Sequence, residues 1–178
     1  MTTIYRSPAK RFVAGVAFAI LGTGASFAQL PGGANSLVET YEDWGVVCQA
    51  AGETTSCFVR QVQTDRQSNQ HVLTVEFASG ADGTFTGAIL LPLGLSLSQG
   101  AQLKIGETAL EGTRSFSTCL PQGCIVPLEV SEATIGVLRT GTALSIAVVS
   151  AAPEQPLTFT VSLKGFANAL NRIGGLTE

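Results

Sequence analysis

The chain has 178 residues, of which 45% are hydrophobic and 13% are charged, and its formal net charge is −3 at neutral pH. This length is enough for one domain with a substantial hydrophobic core. The acidic balance argues against nucleic acid or anionic lipid as a partner, because both attract clustered lysine and arginine and the basic residues here are scattered.

The first 28 residues have the pattern of a cleaved signal peptide. Three basic residues precede the small apolar run Phe12–Leu21, and Ser26-Phe27-Ala28 supplies small residues for cleavage. The run is shorter than the roughly 18 apolar residues that a membrane helix needs. We therefore predict that residues 1–28 are removed, that the mature chain has no transmembrane segment, and that the protein is periplasmic or secreted.

Cleavage would leave 150 residues and change the formal charge from −3 to −6, because the segment removed carries three basic and no acidic residues. Residues 29–40 are rich in turn-forming residues, and this composition predicts a flexible N-terminal segment. No second linker, internal repeat or charge run follows. A single domain is therefore predicted over residues 41–174.

The four cysteines are expected to form two disulfide bonds, because an exported chain matures in an oxidising compartment. Three connectivities are possible. Local pairs, Cys48 with Cys57 and Cys119 with Cys124, close the shortest loops and so cost the least entropy. A four-cysteine zinc site is the rival, although Cys48 and Cys57 are spaced too widely for one zinc knuckle.

Beyond Trp44 the hydrophobic pattern has the two-residue period of β-strands. Trp44, Val46 and Cys48 share one parity, and in His71–Ala78 the apolar Leu73, Val75 and Phe77 alternate with Thr74 and Glu76. The alternation is most regular in Leu157–Leu163, whose Thr and Ser side chains are predicted to face water. Phe85–Leu91 is apolar on both faces and predicts a central strand.

Three features of the C-terminal half depart from this alternation. Pro127 cannot donate to a strand ladder, so its strand is predicted to be an edge or to carry a bulge. Ser131–Gly141 is predicted to be a loop or one helical turn. Apolar residues at i, i+4 and i+7 from Phe166 predict a short helix that Gly174-Gly175 would end.

Many short strands separated by turns, with almost no helix, indicate an all-β protein. A two-layered β-sandwich is the preferred architecture, and a closed barrel is the alternative. The short C-terminal helix would then cover one open end of the core. These elements together predict an all-β domain with a short helix at its C-terminus.

The segment Cys119–Cys124 is a turn bracketed by two cysteines. Cys124 shares the parity of the inward residues of the next strand, whereas Cys119 has the opposite parity to Phe116. Because residues opposed across a hairpin share a face, we predict a bulge near Thr118, or a disulfide that clamps a loop instead of a ladder. Such a turn could present its tip residues to a partner protein: Leu120, Pro121 and Gln122.

The sequence offers little catalytic chemistry. His71 is its one histidine and lies at the start of a predicted strand, where an exposed strand-end position is the simplest interpretation. A hydrolase that uses His71 is the remaining enzymatic hypothesis, and neither a G-x-S-x-G motif nor a set of metal ligands accompanies it. We therefore predict a protein that is not an enzyme, with no catalytic residue, no metal and no cofactor.

Trp44, the one tryptophan, has two interpretations. Its parity with Val46 and Cys48 favours the core. As an exposed side chain it could instead anchor a partner protein or, like Tyr41, stack on a sugar. Trp44 therefore joins the hairpin tip as a candidate contact residue.

Three sequence blocks resemble one family. W-x-x-x-C at Trp44–Cys48, F-x-x-C-x-x-x-G-C at Phe116–Cys124 and the C-terminal Gly165-Phe166 resemble the invasion-associated locus B family of alphaproteobacterial exported proteins. The resemblance extends over the whole mature domain. It implies an immunoglobulin-like β-sandwich in the periplasm or beyond it, and it brings no catalytic residues. The residues that it carries over are structural: Cys48, Cys57, Cys119, Cys124 and Trp44.

Two functional hypotheses follow. The first is an exported, non-enzymatic, disulfide-bonded protein that acts through protein contacts in the cell envelope or at the host interface. The family name, taken from host-cell invasion, links it to virulence. The alternative is a periplasmic module that binds a carbohydrate or another small ligand. The sequence specifies neither the partner nor the oligomeric state.

Overall fold

The structure, a computed structural model, describes residues 30–177 with gaps at positions 53, 81–83 and 111, so the predicted signal peptide lies outside the described residues. The strands of the described part are β1 Ser36–Tyr41, β2 Trp44–Ala51, β3 Thr54–Thr64, β4 His71–Ser79, β5 Phe85–Leu91, β6 Gln102–Ile105, β7 Thr108–Ala109, β8 Thr118–Leu120, β9 Gly123–Val130, β10 Ala143–Val149 and β11 Pro156–Ser162. The α-helices are α1 Glu132–Thr140 and α2 Phe166–Thr177.

The strands form two antiparallel sheets. The larger has the order β1-β2-β3-β4-β5-β9-β8, so its first five strands are consecutive neighbours. The smaller has the order β11-β10-β6-β7. The predicted all-β class, the two-sheet sandwich and the C-terminal helix are therefore confirmed.

The core lies between the sheets, because each strand turns every second side chain inward. Val46, Val59 and Val75 of the larger sheet are fully buried, and they share one hydrophobic cluster with Ile146 and Val161 of the smaller sheet. On β11 the threonines of the opposite face are exposed, as the alternating pattern predicts. The two-residue period thus separates core from solvent along most strands.

Helix α2 completes the second layer. It packs against β1, β2 and β3 and against α1. Its first residue, Phe166, is fully buried, with its ring centroid 4.9 Å from that of Trp44 and 5.4 Å from that of Phe77. Such edge-to-face pairs contribute roughly 0.5–1.5 kcal/mol beyond the burial of their area. The aromatic cluster therefore anchors the start of α2 on the larger sheet.

The N-terminal boundary of the domain differs from the prediction. The prediction that residues 29–40 are flexible is wrong for the residues of this segment that the structure describes. Leu30 is only 2% exposed, and β1 pairs with β2 along its whole length. The turn formers Pro31–Gly33 make a short 3-10 helix after Leu30. The turn formers thus stand between Leu30, which belongs to the core, and β1.

Both helices are longer than the sequence predicts. α1 is a nine-residue helix, capped by the Ser131 side chain, that buries Ile135 and Leu138. α2 continues through Gly174-Gly175, because Leu176 beyond them is buried. The predicted loop or single turn, and the predicted helix end at the glycine pair, are therefore wrong. Neither helix is long and apolar enough to cross a membrane.

The strand of Pro127, β9, is not an edge strand, because it lies between β5 and the short strand β8. The carbonyl of Ile125 accepts a hydrogen bond from the N–H of Ser117, so Ile125 faces β8. Pro127, two residues later, points to the same side but beyond the end of β8. It therefore removes no hydrogen bond between β9 and β5.

Candidate functional site

The strand register brings two loops together at one end of the sandwich, which we call the hairpin end. Leu91, at the end of β5, is paired with Cys124 near the start of β9. Leu95 forms an isolated bridge with Ser150, which follows β10. The β8–β9 turn and the loop that follows β5 therefore lie at the same end of the sandwich.

β8 and β9 form a tight hairpin with the two-residue turn Pro121-Gln122. The ladder pairs Leu120 with Gly123 and Cys119 with Cys124. The disulfide bond between these cysteines joins directly opposed residues whose Cα atoms are 3.9 Å apart. Cys119 is exposed and Cys124 is buried, so the bond ties the outer strand to the core.

The ladder of the hairpin is regular from Leu120 to Thr118, and a bulge-like arrangement is found only at its end, next to Thr118. Ile125 is paired with Thr118, and its carbonyl also accepts a 2.8 Å hydrogen bond from the N–H of Ser117. Two consecutive residues thus oppose one, which is the geometry of a β-bulge. The extra residue allows Phe116 to pack against the core although its parity differs from that of Cys119. The alternative of a disulfide that clamps a loop is wrong, because the bond spans a ladder pair.

The second disulfide joins Cys48 of β2 to Cys57 of β3, which are also directly opposed, with Cα atoms 4.1 Å apart. Both cysteines are buried. The strand directions place this bond toward the end of the larger sheet opposite the hairpin end. The alternative of a four-cysteine zinc site is wrong, because every cysteine of the chain is in a disulfide bond.

The turn of the hairpin is docked on β5 at Gly123. This residue has φ +148°, and a Cβ atom there would lie 2.2 Å from the carbonyl oxygen of Leu91. Glycine alone allows this conformation and this approach without strain. The hairpin is therefore held at two points, by the disulfide at its base and by the backbone contact at its turn.

The predicted tip residues lie together on this turn. Leu120 exposes 47% of its surface, and Pro121 and Gln122 are also exposed. Leu93 and Leu97, in the loop that follows β5, are exposed leucines that the sequence analysis missed. The sequence could have indicated Leu93, because an apolar residue between turn-forming residues belongs to no strand and so has no buried strand face to occupy.

Trp44 is not part of this surface. Its side chain is fully buried, and its Nε1 donates a 2.8 Å hydrogen bond to the carbonyl of Ser162. It lies on the inward face of β2 with Val46 and Cys48, as its parity indicates. Its assignment as a candidate partner contact, and as a stacking platform for a sugar, is therefore wrong.

Gln61 is a second residue that the sequence analysis missed, and it is the one polar residue among the buried side chains of the described chain. Its Nε2 donates to the carbonyl of Ser162 at 2.9 Å, and Nε2 of Gln63 donates to the carbonyl of Thr160 at 2.9 Å. These carbonyls lie on the edge of β11 that faces away from β10. The two glutamines of β3 thus fasten the larger sheet to the edge of the smaller one.

The groups that the enzymatic hypothesis needs are not brought together around His71. Its ring is exposed, and Nε2 forms a 2.8 Å hydrogen bond with Oγ1 of Thr74. Within the described ranges, no three His, Cys, Asp or Glu residues are grouped so that they could hold a metal ion. One cavity, lined by leucines together with Arg114 and Glu129, has a volume of about 20 Å³, which is room for about one water molecule.

The clearest electrostatic feature joins β1 to α2. Nε and Nη2 of Arg172 donate to the two carboxylate oxygens of Glu39 at 2.8 and 2.9 Å. These bonds hold the pKa of Glu39 below its usual range and raise the pKa of Arg172. The hydroxyl of Tyr41 also donates to Glu39, which raises the pKa of Tyr41.

The residues that hold the hairpin and the aromatic cluster lie within one region of sequence similarity. Residues 44–174 match the family described as "Invasion associated locus B (IalB) protein". The chain belongs to the invasion associated locus B family. The matched region begins at Trp44 and includes both disulfides, the hairpin and Gly165-Phe166, so the resemblance drawn from these blocks is confirmed.

Individual relatives agree with this assignment. An invasion protein B homolog of Brucella abortus is 45% identical over 167 residues, which cover 92% of this chain and 96% of that protein. Invasion protein B of Bartonella bacilliformis is 32% identical over 158 residues, covering 88% and 84%. The crystal structure of invasion associated protein B from Bartonella henselae superposes with a TM-score of 0.74 at 34% identity, covering 79% of this chain and 97% of that one.

Proposed function

We propose that the protein is exported to the periplasm or beyond, and that it acts without catalysis by contacting another protein of the cell envelope or of a host. The signal-peptide pattern of residues 1–28 and the two disulfide bonds support export, because disulfides persist in oxidising compartments. The names of the relatives, which refer to invasion and to no reaction, support the contact role.

The observation that carries the proposal is Leu120, a half-exposed leucine on a turn that is held on two sides. The disulfide Cys119–Cys124 closes the base of the turn, and Gly123 docks it on β5. A turn that is already ordered loses little conformational entropy when it binds. Full burial of an exposed leucine side chain contributes about 1.5–3 kcal/mol, and the 47% of Leu120 that is still exposed could supply part of this on binding.

Complementation of a deletion strain tests this contact surface. Leu120→Asp places a charge on the hairpin tip, and Leu157→Asp is the matched control, because Leu157 is 40% exposed on an edge strand of the other sheet. Deletion should cause an envelope or host-entry defect that the wild type and Leu157→Asp correct and Leu120→Asp does not. Thermal melts should first establish that both variants fold. Equal correction by both variants would reject the hairpin tip as the contact.

The absence of catalysis is tested separately. The purified protein is assayed against esterase, peptidase and glycosidase substrates together with His71→Ala, which changes the one histidine. We expect no turnover above background from either protein. Turnover by the wild type that is lost in His71→Ala would overturn the non-enzymatic part of the proposal and leave the contact surface to its own test.

A further inference from the structure

Open sheets have unpaired edge strands, which are templates for pairing with other chains, and proteins usually blunt them. The edges here are β1 and β8 in the larger sheet and β11 and β7 in the smaller. Three are blunted. β7 has two residues and β8 has three. On β11, the outward carbonyls of Thr160 and Ser162 already accept side-chain hydrogen bonds from Gln63, Gln61 and Trp44.

The edge of β1 has none of these devices. β1 is six residues long, contains neither proline nor lysine, and has β2 as its one neighbour among the described strands. The carbonyl of Asn35 accepts a hydrogen bond from β2, so every second residue from there faces β2. Ser36, Val38 and Thr40 therefore direct their N–H and C=O groups away from the sheet. Val38 is also 73% exposed, more than any other large hydrophobic residue of the described chain.

We propose that β1 pairs antiparallel with β1 of a second copy of the chain, about a two-fold axis at Val38. In this register Val38 opposes its own copy, and Ser36 opposes Thr40 of the second copy. All three residues point outward, so the two strands exchange six backbone hydrogen bonds, two in each of three pairs. Two seven-stranded sheets then become one continuous sheet.

The pattern of β1 fits a copy of itself. Its outward residues read hydroxyl, valine, hydroxyl, and a two-fold axis at Val38 maps this pattern onto itself, as an isologous interface requires. Cross-strand pairs of Ser with Thr and of Val with Val are favourable on a sheet face. The one charged residue of β1, Glu39, is already neutralised by the bidentate ion pair with Arg172. Pairing therefore brings no bare like charges together.

This surface is independent of the proposed hairpin contact. β1 and β8 are opposite edges of the larger sheet, so dimerisation through β1 leaves both hairpins at the two far ends of the joined sheet. A dimer would then present two copies of the contact surface. Two tethered copies bind a repeated target more tightly than one, without any new contact.

Sedimentation velocity of the purified protein over a range of concentrations tests the dimer. Val38→Lys places a charge on the edge, and Val62→Lys is the matched control, because Val62 is a 49% exposed valine on an interior strand. We expect the average mass to rise with concentration from that of a monomer toward twice that value in the wild type and in Val62→Lys. Val38→Lys should stay at the monomer mass. Monomer mass of the wild type at every concentration, or equal effects of the two variants, would overturn the proposal.

Hydrogen exchange of the wild type gives a second readout that needs no variant. The amides of Ser36, Val38 and Thr40 should become protected as concentration rises, whereas those of Leu37 and Glu39, which face β2, should not change. Protection confined to other residues would assign self-association to a different surface. Protection of these three amides that is independent of concentration would assign the edge to another segment of the same chain, and both results would reject the dimer.

Discussion

Gly165 determines how the C-terminal helix meets the larger sheet. Its φ is +87°, and a Cβ atom would lie 2.0 Å from the carbonyl oxygen of Tyr41. The turn between β1 and β2 therefore rests directly on its backbone, and the next residue, Phe166, enters the cluster with Trp44 and Phe77. Packing thus explains why glycine and phenylalanine stand together at positions 165 and 166.

Gly165→Ala is expected to lower the free energy of unfolding by at least about 2 kcal/mol, because the new methyl group meets backbone atoms in a strained conformation. Gly136→Ala is the control, since Gly136 is exposed within α1 and a Cβ there meets no atom within 4 Å. This change should stabilise the protein by about 0.5–1 kcal/mol. Urea unfolding measures both, and shifts of the same sign would contradict the argument.

The ion pair between Glu39 and Arg172 predicts a dependence of stability on pH. Because Arg172 lowers the pKa of Glu39 in the folded protein, the pair stabilises the fold at neutral pH and loses this effect as pH falls through the lowered pKa. Arg172→Met should lower the free energy of unfolding at pH 7, and the difference from wild type should shrink as pH falls through the lowered pKa of Glu39.

Arg139→Met is the control for this measurement, because Arg139 of α1 hydrogen-bonds the neutral side chain of Asn171. Its effect on the free energy of unfolding should be the same at neutral and at acidic pH. Chemical unfolding at several pH values distinguishes the two arginines. A difference between wild type and Arg172→Met that stays constant down to pH 2.5, a value about two units below the usual glutamate pKa, would contradict the assigned role of the pair.

At the scale of elements, the two disulfides hold two different hairpins of one sheet. Replacing Cys119 and Cys124 by alanine should cost about 2 kcal/mol, and replacing Cys48 and Cys57 about 3 kcal/mol, because the second loop is longer. Urea unfolding of each double variant measures the loss. Peptide mapping under non-reducing conditions should recover the two local pairs, and a peptide that links Cys48 to Cys119 or Cys57 to Cys124 would contradict them.

The unpaired backbone groups at the sheet edges are accommodated in different ways. Pro127 occupies an open position of β9 where no donor is needed, whereas the edge of β11 is covered by the glutamines of β3. β1 alone among the longer edge strands carries neither device. Strands with the same alternating sequence pattern thus differ in whether their edges expose unpaired backbone groups to which another chain could bind.

For the whole molecule, export predicts a specific processing event. The N-terminal residue of the protein recovered from the periplasm or the medium should be Gln29, because the small residues of Ser26-Phe27-Ala28 suit cleavage after Ala28. Ala28→Arg should leave a precursor that keeps residues 1–28, and Ala34→Arg, beyond the cleavage position, should be processed normally. N-terminal sequencing reads the result, and an unprocessed wild-type protein would reject the prediction.

Much of the fold was predictable because it depends on patterns that repeat over a few residues. The two-residue period identified the strands, the short loops between cysteines indicated local disulfides, and the mismatch of parity between Phe116 and Cys119 required a bulge. Each of these features depends on neighbours in the chain. The cysteines and Phe116 also lie within residues 44–174, which match the family.

The sequence by itself therefore determined the class of fold and the family, and it favoured the local disulfide pairs that the structure contains. Only the tertiary structure decided which surfaces are covered, because that depends on contacts between segments far apart in the chain. Leu30 is buried although turn formers follow it, and Gln61 is buried because the edge of β11, about a hundred residues away, accepts its hydrogen bond. Leu120 and Val38 remain exposed because no described segment reaches them.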